Sequence, residues 1–139
     1  MQTLEALLRE THATILLPPD WAWGWDGRFG AALLVIRPQS AGPLKECLKN
    51  HFDKIWNHQM LNMLPQDVAQ LVESLDGIRA GQSLFTQTLP EDMLLWSSWW
   101  PWSGNSHISV RVGLSTHKMN PKGVEEGRAI MRSIFTHTD

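Results

Sequence analysis

Trp21-Ala22-Trp23-Gly24-Trp25-Asp26-Gly27-Arg28-Phe29-Gly30-Ala31-Ala32-Leu33-Leu34-Val35-Ile36 is the stretch on which the reading of the fold turns. Two runs suited to extended chain flank Asp26-Gly27, a dipeptide that supplies the positive φ angles of a two-residue type I′ hairpin turn. In the first run tryptophan alternates with small residues, so an extended chain projects Trp21, Trp23 and Trp25 to one face. The second ends in the unbroken apolar run from Ala31 to Ile36, which suits a central strand covered on both faces. The expectation is a β-hairpin over 21–36.

Upstream, Thr3 can cap a helix over 3–11 that turns Leu4, Leu7, Leu8 and Thr11 to one side. Residues 13–17 form a short apolar run stopped by Pro18-Pro19, which reads as a strand end or edge. Downstream, Gly42-Pro43 opens a helix expected over 43–58. Its apolar face is Leu44, Cys47, Leu48, His51, Phe52, Ile55 and Trp56, with Lys45, Lys49, Asn50 and Lys54 opposite. Another helix starts near Pro65, buries Val68, Leu71, Val72 and Leu75, and stops at Gly77. Residues 81–89, 93–100 and 106–114 read as extended, the last with strict alternation of Ile108, Val110, Val112 and Leu114. Ser103-Gly104-Asn105 is a turn between the final two. Asn120 as N-cap and Pro121 at the first position open a last helix with Val124, Gly127, Met131, Ile134 and Phe135 on one face.

The expected class is α+β: a mostly antiparallel sheet of about five strands with helices packed against it. Neither a repeat nor a low-complexity linker divides the chain, so residues 1–139 are expected to form a single globular domain. In the order of its elements, and in no motif, the succession resembles small regulatory modules of the roadblock or profilin kind.

Charge and cysteine usage exclude several classes. The formal net charge is -2 and the basic residues are scattered, so nothing in the pattern would hold a polyanion, and nucleic acid is not an expected partner. Cys47 is the single cysteine, which rules out an intrachain disulfide and a Cys-rich zinc site and suits a reducing, cytoplasmic setting. The first residues lack the basic start and apolar core of a signal peptide. The apolar run 31–36 is far shorter than the about 20 residues that span a bilayer, so no membrane association is expected.

Eight tryptophans and no tyrosine are the compositional anomaly. Trp21, Trp23 and Trp25 form a one-sided row, whereas alternation divides Trp96, Trp99, Trp100 and Trp102 between faces. Each ring has two readings: a core filler that buries about 150–250 Å², or part of an exposed aromatic surface of the kind that marks a partner or ligand site. Rings crowded around Asp26-Gly27 and Pro101 are hard to bury completely. Modules that stack bases interleave aromatics with many cations, and here only Arg28 and Arg111 lie near.

Chemistry is sparse. Cys47 and His51 are spaced i, i+4 on one helix face. His58 would lie about 10 Å beyond His51, so the pair lacks a third ligand, and a free thiol beside a hydrogen-bonded core histidine is the expected reading. Ser97, Ser98, Ser106 and Ser109 lack a nucleophile elbow, and Cys47 on an apolar face lacks what would favour a thiolate. Glu91-Asp92 and Glu125-Glu126 are adjacent in sequence, so their side chains diverge instead of forming a dyad. No glycine pattern cradles phosphate. His107, Ser109 and Arg111 alternate opposite Ile108, Val110 and Val112, as either a solvated face or an anion-binding one.

No catalytic residue, cofactor or metal ligand is assigned on this reading. The expected function is a non-enzymatic protein-binding module, a regulator, adaptor or chaperone-like protein, that uses a tryptophan-rich surface. Its partner is another protein or a second copy of itself. The candidate surface is Trp21, Trp23, Trp25, Arg28, Trp99, Trp100, Trp102, His107 and Arg111. The alternative is a small-ligand-binding protein or minor enzyme in which the Trp21, Trp23 and Trp25 row walls a pocket and Asp26, Arg28 or His107 supplies the polar groups.

Overall fold

Thr3 caps the first helix through its hydroxyl, which accepts a hydrogen bond from the Ala6 backbone N–H at 3.1 Å. The computed structural model describes residues 3–15, 17–18, 20–116 and 121–136. Helix α1 runs Leu4–Thr14, longer than its apolar stripe implies. The start of the run expected to be extended at 13–17 therefore forms the helix's last turn, and Ile15 caps it with its N–H on the Thr11 carbonyl. Leu16 and Pro19 lie outside the described residues, as does Asn120, the expected cap of the last helix.

Strands β1 (Gly24–Asp26) and β2 (Ala31–Ile36) form the expected hairpin, with a different turn. Asp26 pairs with Ala31, so residues 27–30 make a four-residue connection. Positive φ falls at Gly30, 60°, and not at Gly27. The Asp26 side chain is the cause: its Oδ1 accepts the Arg28 backbone N–H at 3.0 Å, an Asx turn that stands in for the tight hairpin loop.

Helix α2 covers only Gly42–His51, and Lys54–Asn57 is strand β3. The expected helix over 43–58 is thus corrected at its second half. Phe52 leaves the helix with φ -89° and ψ 145°, and Ile55 and Trp56 pair with Phe85 and Leu84. A short apolar run satisfies both periods, and here an available edge of the sheet decided. Helix α3 (Gln66–Ser74) buries Val68, Leu71 and Val72, with Leu75 just beyond it, and ends at Gly77, whose φ is 95° and whose N–H reaches the Val72 carbonyl. Strands β4 (Ser83–Leu89), β5 (Met93–Pro101) and β6 (Ile108–Thr116) follow, then helix α4 (Pro121–Thr136).

Among the described residues the sheet has six strands, not five, all antiparallel, in the order β1-β2-β6-β5-β4-β3; β3 is the strand that the sequence pattern concealed. The fold is α+β. Helices α1, α2 and α4 cover one face, where Leu8, Leu44, Leu48, Met131 and Phe135 meet Ala32, Leu34, Leu95, Val110, Val112 and Leu114. Among the described residues helix α3 alone packs on the other face, over Ala31, Leu84, Leu94 and Trp96. One helix cannot roof six strands. The central strands are β6 and β5, and the latter is buried from Met93 to Trp99, while β2 emerges from under the cover, with Ala31 buried and Val35 exposed. The expectation of β2 as the doubly covered strand is corrected accordingly. Among the described residues no helix is long and apolar enough to cross a membrane.

His51 ties α2 to α1. The Thr11 hydroxyl donates to the Leu7 carbonyl, and His51 Nε2 lies 2.9 Å from Thr11 Oγ1, so a tautomer with Nε2–H donates to that hydroxyl oxygen. Burial lowers the His51 pKa from its ordinary 6.5 although Glu10 and Asp53 pull it upward. Burial, then Arg9, lowers that of His12. Between their lowered folded-state values and 6.5, these two histidines hold more protons in the unfolded chain than in the folded one, and their contribution to stability, complete above 6.5, is expected to be lost as pH falls through that window. Thermal unfolding followed between about pH 7.5 and 5 should show this slope, and His51→Gln should flatten it.

Candidate functional site

The uncovered part of the α3-side face is where β2, β6 and the end of β5 lie together. Strand alternation puts Leu33 and Val35 of β2, Ser109 and Arg111 of β6, and Ser98 and Trp100 of β5 on this side of the sheet, with Ser98 and Ser109 buried between their neighbours, and the register sets Val35 against Ser109 and Ser109 against Trp100. Trp102 follows the strand end and folds back: its Nε1 donates to Ser109 Oγ at 2.7 Å, its backbone N–H donates to the His107 carbonyl at 2.8 Å, and its ring lies 4.7 Å from that of His107. Trp102 is 45% exposed and Val35 44%. They flank the same serine, so the surface there is apolar and open to solvent.

Beside them Arg111 lies between two rings. Its guanidinium carbon is 5.2 Å from the Phe29 centroid and 5.0 Å from that of Trp100, and the two rings meet edge-on at 6.1 Å. Phe29 arrives from the β1–β2 turn, so the four-residue connection is what brings this ring over the sheet. Arg111 Nε donates to Asp26 Oδ2 at 2.8 Å, with each side chain 14% exposed. Burial pushes the Asp26 carboxyl up, but the Arg111 hydrogen bond and charge, with the Arg28 and Phe29 backbone N–H groups, outweigh it and hold the group below its ordinary value. Arg28 stacks on the other part of this cluster, 4.9 Å from the Phe29 centroid, and pairs with Asp76 at 2.7 Å where both are exposed; such a pair contributes little.

The cluster leaves hydrogen-bonding capacity unused. Arg111 Nη1, Trp100 Nε1, His107 Nδ1 and Ser98 Oγ are buried without a hydrogen-bond partner among the described residues. Three of them, Arg111, Trp100 and His107, belong to the candidate surface expected from the sequence, and a buried donor left unmade is costly.

The candidate residues thus separate. Arg28, Trp100, Trp102, His107 and Arg111 are brought together. Trp99 points to the opposite face, 4% exposed in the main core with Lys45 Nζ 5.4 Å from its ring. The row stays one-sided but lies on the α4 side: Trp23 is buried edge-on against Phe135 at 5.2 Å, and Trp21 and Trp25 are half-buried on the same core, Trp25 under Arg132. The row and the polar groups Asp26, Arg28 and His107 consequently do not wall one pocket, because adjacent positions of a strand face opposite sides. Phe29 and Val35 belong to the surface and were missed. Val35 lies in an unbroken apolar run that carries no local sign of an open face, and the placement of Phe29 depends on the turn.

Among the described residues no group of three or more His, Cys, Asp or Glu side chains could hold a metal. Cys47 is a half-buried free thiol. No protein-family model, curated protein or solved structure matches this chain, and the likeness of element order to roadblock or profilin modules finds no counterpart there.

Proposed function

We propose that the protein is a non-enzymatic protein-binding module of the cytoplasm whose partner covers the β2–β6–β5 surface. The observation that supports this most directly is the exposure of Val35 and Trp102 beside the Phe29, Arg111 and Trp100 stack. Tryptophan and arginine are the residues most often found at binding hot spots. A second feature suggests the form of the partner. Strand β1 pairs with Ala31 to Leu33 only, so the outer edge of β2 from Leu34 to Ile36 has no neighbouring strand among the described residues. An extended segment of another protein can add there as a strand and lay alternate side chains on Val35 and Trp102.

The test compares proteins recovered by the purified chain from its host with those recovered by Trp102→Ala and Val35→Asp. Trp102→Ala leaves the core intact and is expected to weaken a specific partner by about 10-fold or more, as a hot-spot ring does. Equal recovery by all three proteins would refute the reading. Light scattering at two concentrations identifies the case in which the partner is a second copy of the chain.

A further inference from the structure

Next to that surface, and sharing Arg28 and Phe29 with it, Gly27, Arg28, Phe29 and Gly30 of the β1–β2 turn face Leu71, Ser74 and Leu75 of the α3 region across a recess of about 180 Å³. Trp96, Leu114, Ser115 and Arg128 complete its wall. Its composition is divided. Leu71, Leu75, Trp96, Leu114 and Phe29 are apolar, the polar side chains are two serines and two arginines, and among the described residues no acidic side chain lines it. The whole chain carries a net charge of -2, so this is a local reversal of sign.

The two arginines differ. Arg28 is paired with Asp76. Arg128 has no ion pair among the described residues, and its Nε is buried without a hydrogen-bond partner. The position of Arg128 depends on Gly30: a Cβ there would stand 2.8 Å from Arg128 Cδ and 2.9 Å from Nε. A glycine at φ 60° therefore lets the guanidinium lie directly against the turn. Ser74 Oγ already donates to the Leu71 carbonyl, so Arg128 is the wall's cation without an ion pair among the described residues, with the Ser115 hydroxyl beside it in the wall.

We propose that this recess binds a small monocarboxylate with an apolar body of about a benzene ring's size, its carboxylate held by Arg128. The size argument is direct, since an apolar cavity of roughly 150 Å³ accepts benzene. The charge argument follows from the wall: a guanidinium at an apolar site forms its strongest contacts with a planar oxyanion, and the aromatic and leucine side chains favour a ligand that also has apolar surface. A bare phosphate would satisfy the cation and leave that wall unused.

Benzoate is the probe, and the Trp96 indole in the wall is the reporter, read as its N–H signal in a proton–nitrogen NMR spectrum of the intact chain. Benzoate is expected to shift that signal and raise the unfolding temperature. Benzyl alcohol, the uncharged ligand of similar shape, should bind at least about 10-fold more weakly. Arg128→Gln should lose benzoate binding by a similar factor, whereas Arg9→Gln, on the exposed face of α1, should not. Failure of benzoate to move the Trp96 signal overturns the proposal. So does equal binding of benzyl alcohol or of inorganic phosphate, or binding that survives Arg128→Gln and is lost on Arg111→Gln. Were Arg128→Gln to unfold, the comparison of ligands on the unaltered chain would still decide. None of these outcomes depends on the partner proposed for the open surface.

Discussion

Trp96→Ala is expected to lower the free energy of unfolding by about 3–5 kcal/mol, the range for removing a large buried aromatic. Trp96 is 2% exposed between the sheet and α3, where it joins Leu84, Leu94, Val68 and Leu71. Its seat is Gly113, the residue opposite it on β6. A Cβ on Gly113 would stand 2.4 Å from the indole Cζ2 and 2.6 Å from Cε2. Since the ring lies against backbone and cannot withdraw under α3, Gly113→Ala should cost about 1–3 kcal/mol by overpacking, even though alanine suits a strand better than glycine does. The two changes should be far from additive: once the indole is gone, the added methyl has room, and Gly113→Ala should cost little or even recover some stability. Urea unfolding of the two single variants and the double one measures this coupling. Additive losses would mean that the ring and the glycine do not share one space.

Arg111→Ala is expected to cost about 2–4 kcal/mol at neutral pH, somewhat less than the rupture of a fully buried ion pair because the cluster borders open surface. The loss has two parts. Asp26 is left as a carboxylate with little solvent, and Phe29 and Trp100 lose the cation that lies against both rings. The pH dependence separates this from a simple packing defect. In the intact chain the Asp26 carboxyl is held below its ordinary 3.8, so its contribution is present above that value and lost as pH falls through the lower, folded-state value. Without Arg111 burial dominates and the carboxyl rises, so the variant's deficit should shrink on acidification toward about pH 3. Asp26→Leu combined with Arg111→Met should recover much of the loss, since an apolar pair of similar volume avoids desolvating two charges. A deficit that is the same at both ends of the pH range would place the cost in packing alone.

The two positions also bear on function. Trp96 and Gly113 lie under α3 and belong to the structure of the sheet, while Arg111 lies at the margin of the open face and within reach of whatever covers Trp102 and Val35. A partner that engages the unused Arg111 Nη1 or Trp100 Nε1 would do so without disturbing the core beneath Trp96.

Much of this was readable along the chain. The periods of 3.6 and 2 marked α1, α3 and α4, both strands of the last hairpin and the two-faced character of β6, because each of these elements buries a stripe that local spacing alone defines. The split of Trp96, Trp99, Trp100 and Trp102 between faces followed from the same arithmetic. Where the pattern failed, two geometries fitted one run of residues. Ile55 and Trp56 continue the helical stripe of α2 and equally fill an edge strand, and only the free side of β4 chose between them. The Asp26-Gly27 pair signalled a turn, but the Asp26 carboxylate, shared between the Arg28 backbone and Arg111, set its length and carried Phe29 over the sheet.

Which side of the sheet is covered lies beyond any local pattern. Alternation assigns Trp21, Trp23 and Trp25 to one face and Arg111 to a face, but it cannot say that three helices gather on the first and one on the second. That assignment comes from strand order, which brings β2 beside β6 and leaves β3 at the far edge, and from the reach of α3, which roofs Trp96 and stops short of Val35. The residues and their periods thus defined the elements and their buried stripes through chemistry between near neighbours. The open surface and the Arg128 recess exist only through contacts between segments distant in the chain, and these form when the whole sheet and its unequal layers close together.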